Sequence, residues 1–359
     1  MSTSTQTVHV HTTSRDYDVL VGNNLLAQTG ALVRKAGAFD AAFVVSDTNV
    51  APLYLDRVRT SLETAGFATQ SAVVEAGERH KNLATFGTIL EGMARAGLTR
   101  DSVVIALGGG VVGDMAGFAA ASYMRGIQVI QVPTTLLSMV DSSVGGKTAI
   151  DLSCGKNLVG AFLQPTLVIA DVSCLMTLEH EVFVDGLGEI VKHGVLADEE
   201  LFDQLTHSPL RQDSDPSYLV HVVARNVSIK RDVVGADEQE HGVRQTLNLG
   251  HTIGHAIEAA SGYTLGHGHC VAAGLCCVSR AAEKLGWAPA GMSARIDACV
   301  TAQGLPTTTD ISTGELFAQA THDKKRHGSG VNLVVPTGIG SVEMRHVSLD
   351  ELAQIIELS

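Results

Sequence analysis

Residues 41–172 switch repeatedly between two hydrophobic periods, and that switching restricts the fold more than any other feature of the chain. Short apolar runs rich in β-branched residues read as strands buried on both faces: AAFVVSD (41–47), SAVVEAGE (71–78), SVVIALGGG (102–110), IQVIQVPTT (127–135) and TLVIADV (166–172). Stretches with helical spacing fall at 25–37, 50–66, 83–98 and 111–124, between or before these runs. Residues 8–21 alternate like a hairpin. Strands alternating with helices predict an α/β unit on a mainly parallel sheet. After about residue 177 helical spacing prevails, at 181–206, 216–237, 246–261, 269–286, 290–303 and 313–322, and strand-like pieces return only at 332–347. The change of pattern predicts a boundary near 177–183, with an α/β domain over 1–180 and a mainly α-helical domain over 181–359.

Composition narrows the partners. A hydrophobic share of 45% over 359 residues supports a sizeable core, and no apolar run reaches the ~18 residues of a membrane span. Lys plus Arg number 25 against 38 Asp plus Glu, a formal charge of -13, so the chain is a poor general binder of nucleic acid or anionic membranes. An anionic small molecule remains a suitable substrate if the basic residues converge. The N-terminal MSTSTQTVHVHTT has no apolar core of a secretory signal, and the six cysteines show no CxxC spacing. Free thiols in a reducing cytoplasm are the expectation.

Three motifs carry chemistry. GGGVVGD (108–114) lies between a predicted strand and helix, where glycines let backbone approach a ligand and a helix N-terminus offers N–H groups to a phosphate. It is not GxGxxG, and Asp47 at the end of an earlier strand is the better-placed acid for a ribose hydroxyl. VPTTLLSMVDSSVGGKTAIDLSCGKN (132–157) holds two Gly-Lys pairs, at Lys147 and Lys156, suited to anions on an exposed loop. GGKT is no P-loop, because Asp141 stands where the first Gly is required. GLGEIVKHG (186–194), NLGHTIGHAIE (248–258) and LGHGH (265–269) bring together Glu189, His251, His255 and His267; two imidazoles and a carboxylate are a common set for a catalytic divalent ion. HTIGH is not HExxH, since Thr252 takes the Glu position.

ALGGGVVGDMAGFAAASYMRG, QVPTTLLSMVDSSVGGKTAI, GKNLVGAF, GEIVK and LNLGHTIGHAIEAASGY together resemble the 3-dehydroquinate synthase family, over roughly residues 40–340. The resemblance implies a Rossmann-like NAD-binding domain followed by a mainly helical, metal- and substrate-binding domain. It implies NAD and one divalent metal, zinc or cobalt, as cofactors, with Glu189, His251 and His267 as metal ligands. NAD contacts fall at Asp47, Asn49, Glu78, Lys81, Gly109, Gly110, Asp114, Thr134, Thr135, Asp141, Lys147, Lys156 and Thr177. Substrate contacts fall at Lys147, Lys156, Asn157, Lys192, Lys230, Arg244, Asn248 and His255, with one of Lys324 and Lys325 supplying a further phosphate contact. Asp141, Lys147, Glu189, Lys192 and His255 take the catalytic roles, and Arg125 reaches into a second copy's site, which implies a homodimer.

The implied reaction is that of a lyase of the shikimate pathway. It takes 3-deoxy-D-arabino-heptulosonate 7-phosphate to 3-dehydroquinate and phosphate by transient oxidation, elimination, re-reduction and aldol closure. Such a substrate needs several cations, and Lys147 and Arg244 are expected in an open cleft.

Two residues depart from the family pattern: His193, where a Tyr is frequent, and His269, where a Glu is usual. Position 269 is expected to tune the metal through a ligand histidine, the alternative being that it competes as a ligand itself. Competing readings are a metal-dependent polyol dehydrogenase, which needs no such anion cluster, and a related cyclase such as aminodehydroquinate synthase or 2-deoxy-scyllo-inosose synthase. A non-catalytic relative is disfavoured because Glu189, His251, Lys147 and Lys192 are all retained.

Overall fold

The computed structural model describes residues 5–321 and 330–358. The expected phosphate contacts Lys324 and Lys325 lie outside the described residues. The chain divides into two compact units, Met1–Leu178 with Asp213–Gln239, and Glu179–Gln212 with Glu240–Ser359.

Among the described residues the first unit is built on nine strands: β1 (Gln6–Val10), β2 (Tyr17–Gly22), β3 (Ala41–Asp47), β4 (Ala68–Val74), β5 (Val103–Gly108), β6 (Gln128–Pro133), β7 (Lys147–Leu152), β8 (Gly155–Phe162) and β9 (Leu167–Asp171). Seven form one sheet in the order β1-β2-β9-β6-β5-β3-β4. Only the β1–β2 pair is antiparallel; the rest of the sheet is parallel, as continuous apolar runs require when both faces are covered. Every residue of β5 is buried, and Phe43, Val45, Val104, Ala106 and Val129 pack with Ile89, Met93, Met115 and Ala119 from the covering helices. The chain runs from β3 outward to β4 and then returns to the other side of β3 to make β5. Such a reversal opens a crevice at the C-terminal ends of β3 and β5, where parallel α/β sheets bind ligands.

Two features of this unit differ from the sequence expectation. The stretch carrying Lys147 and Lys156, read as an exposed loop, is the antiparallel β7–β8 hairpin. Its glycines and lysines obscure the alternation, although Thr148, Ala149 and Ile150 are buried. The helix Pro216–Ala236 falls in the second half of the chain yet belongs to this first unit, where it packs on β1 and β2. Helical periodicity alone carries no record of which core a helix covers.

The second unit holds the helices His180–Ala197, Glu199–His207, His251–Ala260, His267–Lys284, Met292–Ala302, Thr313–Thr321 and Leu349–Glu357, and the hairpin of β10 (Gly330–Gly338) with β11 (Ser341–Ser348). The single helix expected over 181–206 breaks at Asp198, whose extended backbone (φ -149°, ψ 86°) and side chain cap a new helix by accepting the Leu201 N–H at 3.0 Å. The helix expected from 246 starts at His251, after Gly250 in the left-handed region (φ 77°). Among the described residues no helix is long and apolar enough to cross a membrane. All six cysteines are free thiols; Cys154 is exposed and the other five are buried.

Candidate active site

The metal-ligand candidates are delivered by three helices that approach through glycine. A Cβ on Gly188 would lie 2.2 Å from the Gly268 carbonyl oxygen, so the helices His180–Ala197 and His267–Lys284 touch backbone to backbone beside Glu189 and His267. A Cβ on Gly274 would lie 2.3 Å from the Gly250 carbonyl oxygen, and this second contact seats the first turn of the helix that begins at His251. Any side chain at these positions would push the donor residues apart.

His251 Nε2 lies 3.5 Å and His267 Nε2 3.6 Å from Glu189 Oε1. The other ring nitrogen of each histidine faces an acceptor: His251 Nδ1 is 3.1 Å from the Leu249 carbonyl oxygen, and His267 Nδ1 is 3.3 Å from Glu258 Oε2. With Nδ1–H committed on both rings, Nε2 is the atom each presents to Glu189. Glu189 is 1% exposed; its oxygens lack a hydrogen-bond partner of good geometry among the described residues, while the Lys192 ammonium is ion-paired to Oε2. A buried carboxylate facing two imidazole nitrogens fits a divalent ion held by N and O donors. His251, His255 and His267 also bring one nitrogen each within 4.8 Å of one another. His255 is exposed beside the other two, with its ring centroid 5.1 Å from that of His251.

Electrostatics divide the two candidate ligand histidines. Burial drives His251 down to about 3, keeping it neutral. Burial acts the same way on His267, but the nearby Glu189 and Glu258 carboxylates overcome it and lift the ring to about 10. Burial opposes ionisation of Glu189 as well, and Lys192, His251 and His267 outweigh it and hold the carboxyl well below its ordinary range.

His269 does not take the expected place near the metal ligands. Its backbone N–H and its Nδ1 both meet Asp185 Oδ1, at 3.1 and 2.9 Å, and its Nε2 faces Glu181 at 3.6 Å. Two residues along a helix turn a side chain by about 200°, so His269 points away from the face that carries His267. The carboxylate on His267 is Glu258, which sequence reasoning missed. Its signal was present: His251, His255 and Glu258 stand at i, i+4 and i+7 of one helix.

The cations expected to bind substrate differ in exposure. Lys147 is exposed on β7 and Asn248 is exposed. Arg244, expected in an open cleft, is 1% exposed and Lys192 also 1%. Lys192 donates to the Leu247 carbonyl oxygen at 2.9 Å, which ties it to the short turn Val243–Asn248 that carries Arg244. His193, next to it, is fully buried.

In the first unit the expected NAD contacts gather at the C-terminal ends of adjacent strands: Asp47 ends β3, Gly109 and Gly110 follow β5, and Thr134 and Thr135 follow β6. Asp47 Oδ1 accepts the backbone N–H groups of Asn49 and Val50 at 2.8 and 2.9 Å. Lys81, Asp114, Glu78, Lys156 and Asn157 make one charged network: Lys81 Nζ is 2.6 Å from Asp114 and 2.5 Å from Asn157 Oδ1, and Lys156 is 3.6 Å from Glu78. Burial pushes the Asp114 carboxyl up to about 6, against the attraction of Lys81. Lys230 donates to the Asp141 carbonyl oxygen at 2.6 Å and to its Oδ1 at 2.7 Å, so these two candidates meet each other. Thr177 hydrogen-bonds the Tyr54 hydroxyl. Arg125 is exposed in a turn where Met124 and Arg125 both have positive φ, 51° and 68°.

A 3-dehydroquinate synthase N-terminal family model matches residues 71–185, and a 3-dehydroquinate synthase C-terminal model matches residues 186–326. The 3-dehydroquinate synthase of Citrifermentans bemidjiense is 45% identical over 354 residues, 98% of this chain and 97% of that protein. This chain belongs to the 3-dehydroquinate synthase family. It is therefore an enzyme of the sugar phosphate cyclase kind, with the Rossmann-like and helical halves of that fold. The structure of ValA, a 2-epi-5-epi-valiolone synthase from Streptomyces hygroscopicus subsp. jinggangensis 5008 with NAD+ and Zn2+ bound, matches with a TM-score of 0.86 at 27% identity, covering 95% of this chain and 96% of that one. A 2-deoxy-scyllo-inosose synthase complexed with carbaglucose-6-phosphate, NAD+ and Co2+ shares the fold, with a TM-score of 0.86 at 24% identity over 98% of this chain and 99% of that one.

Proposed function

We propose that this member of the 3-dehydroquinate synthase family is a lyase that converts 3-deoxy-D-arabino-heptulosonate 7-phosphate to 3-dehydroquinate and phosphate, with NAD and one divalent ion as cofactors. The observation that carries the metal assignment is the pair of imidazole Nε2 atoms facing buried Glu189 while both Nδ1 atoms are committed elsewhere. Glu189, His251 and His267 would hold the ion, and the residues at the ends of β3, β5 and β6 would hold NAD, as the NAD+- and Zn2+-bound relative supports. Bound there, NAD accepts and returns a hydride and the ion lowers the pKa of a substrate hydroxyl.

The chain's own groups supply the rest. Exposed Lys147 anchors a carboxylate or phosphate oxygen by a charge-assisted contact. Lys192, fixed by Glu189 and the Leu247 carbonyl, places a cation near the ligand set, where it stabilises charge that develops on a substrate oxygen. His255 is exposed beside His251 and can hold or pass a proton at its ring nitrogen. We further propose that Arg125, presented on its strained turn, completes the site of a second copy in a homodimer, that nucleic acid is no partner, and that the enzyme works in the cytoplasm.

The test is to incubate purified protein with this heptulosonate phosphate, zinc and substoichiometric NAD, and to measure phosphate release and NADH together. Many turnovers of phosphate with no NADH accumulation are expected. Stoichiometric NADH, or phosphate release only from an amino analogue of the substrate, would overturn the assignment.

A further inference from the structure

We propose that Glu258 is a positioning residue for the metal centre: its carboxylate holds His267 in the ring orientation and tautomer that present Nε2 to the ion. The inference rests on the reading of Glu189, His251 and His267 as metal ligands.

Glu258 Oε2 is 3.3 Å from His267 Nδ1, while His267 Nε2 is 3.6 Å from Glu189 Oε1. The two carboxylates therefore occupy opposite sides of one imidazole, and Glu258 lies outside the donor cluster. The residue is built to stay there. It is 8% exposed, and its backbone carbonyl accepts the Tyr263 N–H at 2.9 Å and the Ser261 hydroxyl at 2.8 Å, which fixes the last turn of its helix. It also stands on the helix face that carries His251 and His255, so one helix supplies a ligand and the support of another ligand.

The two ligand histidines are thus supported unequally. His251 gives its Nδ1–H to a neutral carbonyl, that of Leu249, whereas His267 gives its Nδ1–H to a carboxylate. A carboxylate makes the ring a stronger donor at Nε2 and restrains its rotation about the Cβ–Cγ bond. His267 needs that restraint more, because it begins its helix next to Gly266 and Gly268 and its side chain is 31% exposed, against 13% for His251. His269, two residues on, engages Asp185 and Glu181 instead.

The experiment uses the full chain stripped by a chelator and titrated with Zn2+ against a chromophoric chelator, alongside Co2+ loading read by its visible spectrum. Glu258→Gln keeps the volume and a hydrogen-bond acceptor but removes the charge; Glu258→Asp keeps the charge and shortens the reach. We expect Glu258→Gln to weaken Zn2+ binding by about 10–100-fold, as loss of a ligand's supporting carboxylate does. Glu258→Asp should recover part of that loss. The metal-free variants should melt with the metal-free parent, and the Co2+ spectrum of Glu258→Gln should shift. A Glu258→Gln protein with the parent's Zn2+ affinity and Co2+ spectrum would overturn the inference, whether or not its melting point falls. A parent chain that takes up no ion would instead overturn the metal-centre reading on which the inference stands.

Discussion

Each unit of the molecule sets a carboxylate against a lysine away from solvent, and the two pairs respond in opposite directions. Asp114 in the first unit is 2.6 Å from Lys81, yet burial lifts its carboxyl to about 6. Glu189 in the second unit is ion-paired to Lys192, and its carboxyl is held well below the ordinary range although it is the more deeply buried. The neighbours explain the contrast. Asp114 has one close cation and a like charge, Glu78, which offsets part of that cation's help. Glu189 has Lys192 and two imidazoles around one group. Burial opposes ionisation of both carboxyls, and more deeply at Glu189, so the surplus of positive or proton-bearing neighbours decides the charge state. A carboxylate kept ionised among neutralisable imidazoles is prepared for a cation; one whose proton is easily retained is suited to neutral hydrogen bonding.

The largest test of that contrast is Glu189→Gln, which removes the charge the imidazoles converge on. Metal analysis should find the ion lost, and activity should fall by about 10³-fold, since several kcal/mol of charge stabilisation go with it at about 1.36 kcal/mol per tenfold. Retention of both ion and activity would place the ion elsewhere. Lys81→Met breaks the other pair and leaves Asp114 without its cation. Urea melts at neutral pH should show a loss of about 3 kcal/mol, the low end for a broken buried pair, because Asp114 keeps 19% of its surface. No change would show that water, not Lys81, supports Asp114.

Lys147→Ala tests an exposed cation that neither pair involves. Charge-assisted contacts are worth roughly 1.5–3 kcal/mol, so substrate affinity should drop about tenfold to a hundredfold with the melting point unmoved. Unaltered kinetics would return Lys147 to ordinary surface charge. The smallest effect is on pH dependence. With its carboxyl raised from near 4 to about 6, native Asp114 keeps its proton over a range where the unfolded chain has lost it. Its contribution is full below about pH 4 and is lost as pH rises through 6. Asp114→Asn should flatten that fall in stability measured at a series of pH values; an unchanged slope would assign the dependence to another group.

The local patterns carry far. Apolar runs such as SVVIALGGG are buried on both faces in a parallel sheet, and the spacing of His251 and His255 sets them on one face of a helix. Residues as distant as Glu189 and His267 could be suspected together only from their types and their place in a family pattern, and the structure does bring them within 3.6 Å. The β7–β8 hairpin was hidden because the burial that makes it a hairpin comes from its packing, while its sequence reads as glycine and lysine. The break at Asp198 was hidden because the residues on both sides keep helical spacing.

What the sequence determined by itself, then, is the period of each segment and the chemistry of its side chains, since both depend on near neighbours along the chain. Tertiary structure alone decided three things. Gly188 and Gly268 are spent on a backbone contact beside Glu189 and His267, the helix Pro216–Ala236 covers the first unit's sheet, and position 269 turns to Asp185 while Glu258 faces His267. These depend on which surfaces meet in space, and hydrophobic period and residue type leave that choice open until the helices have packed.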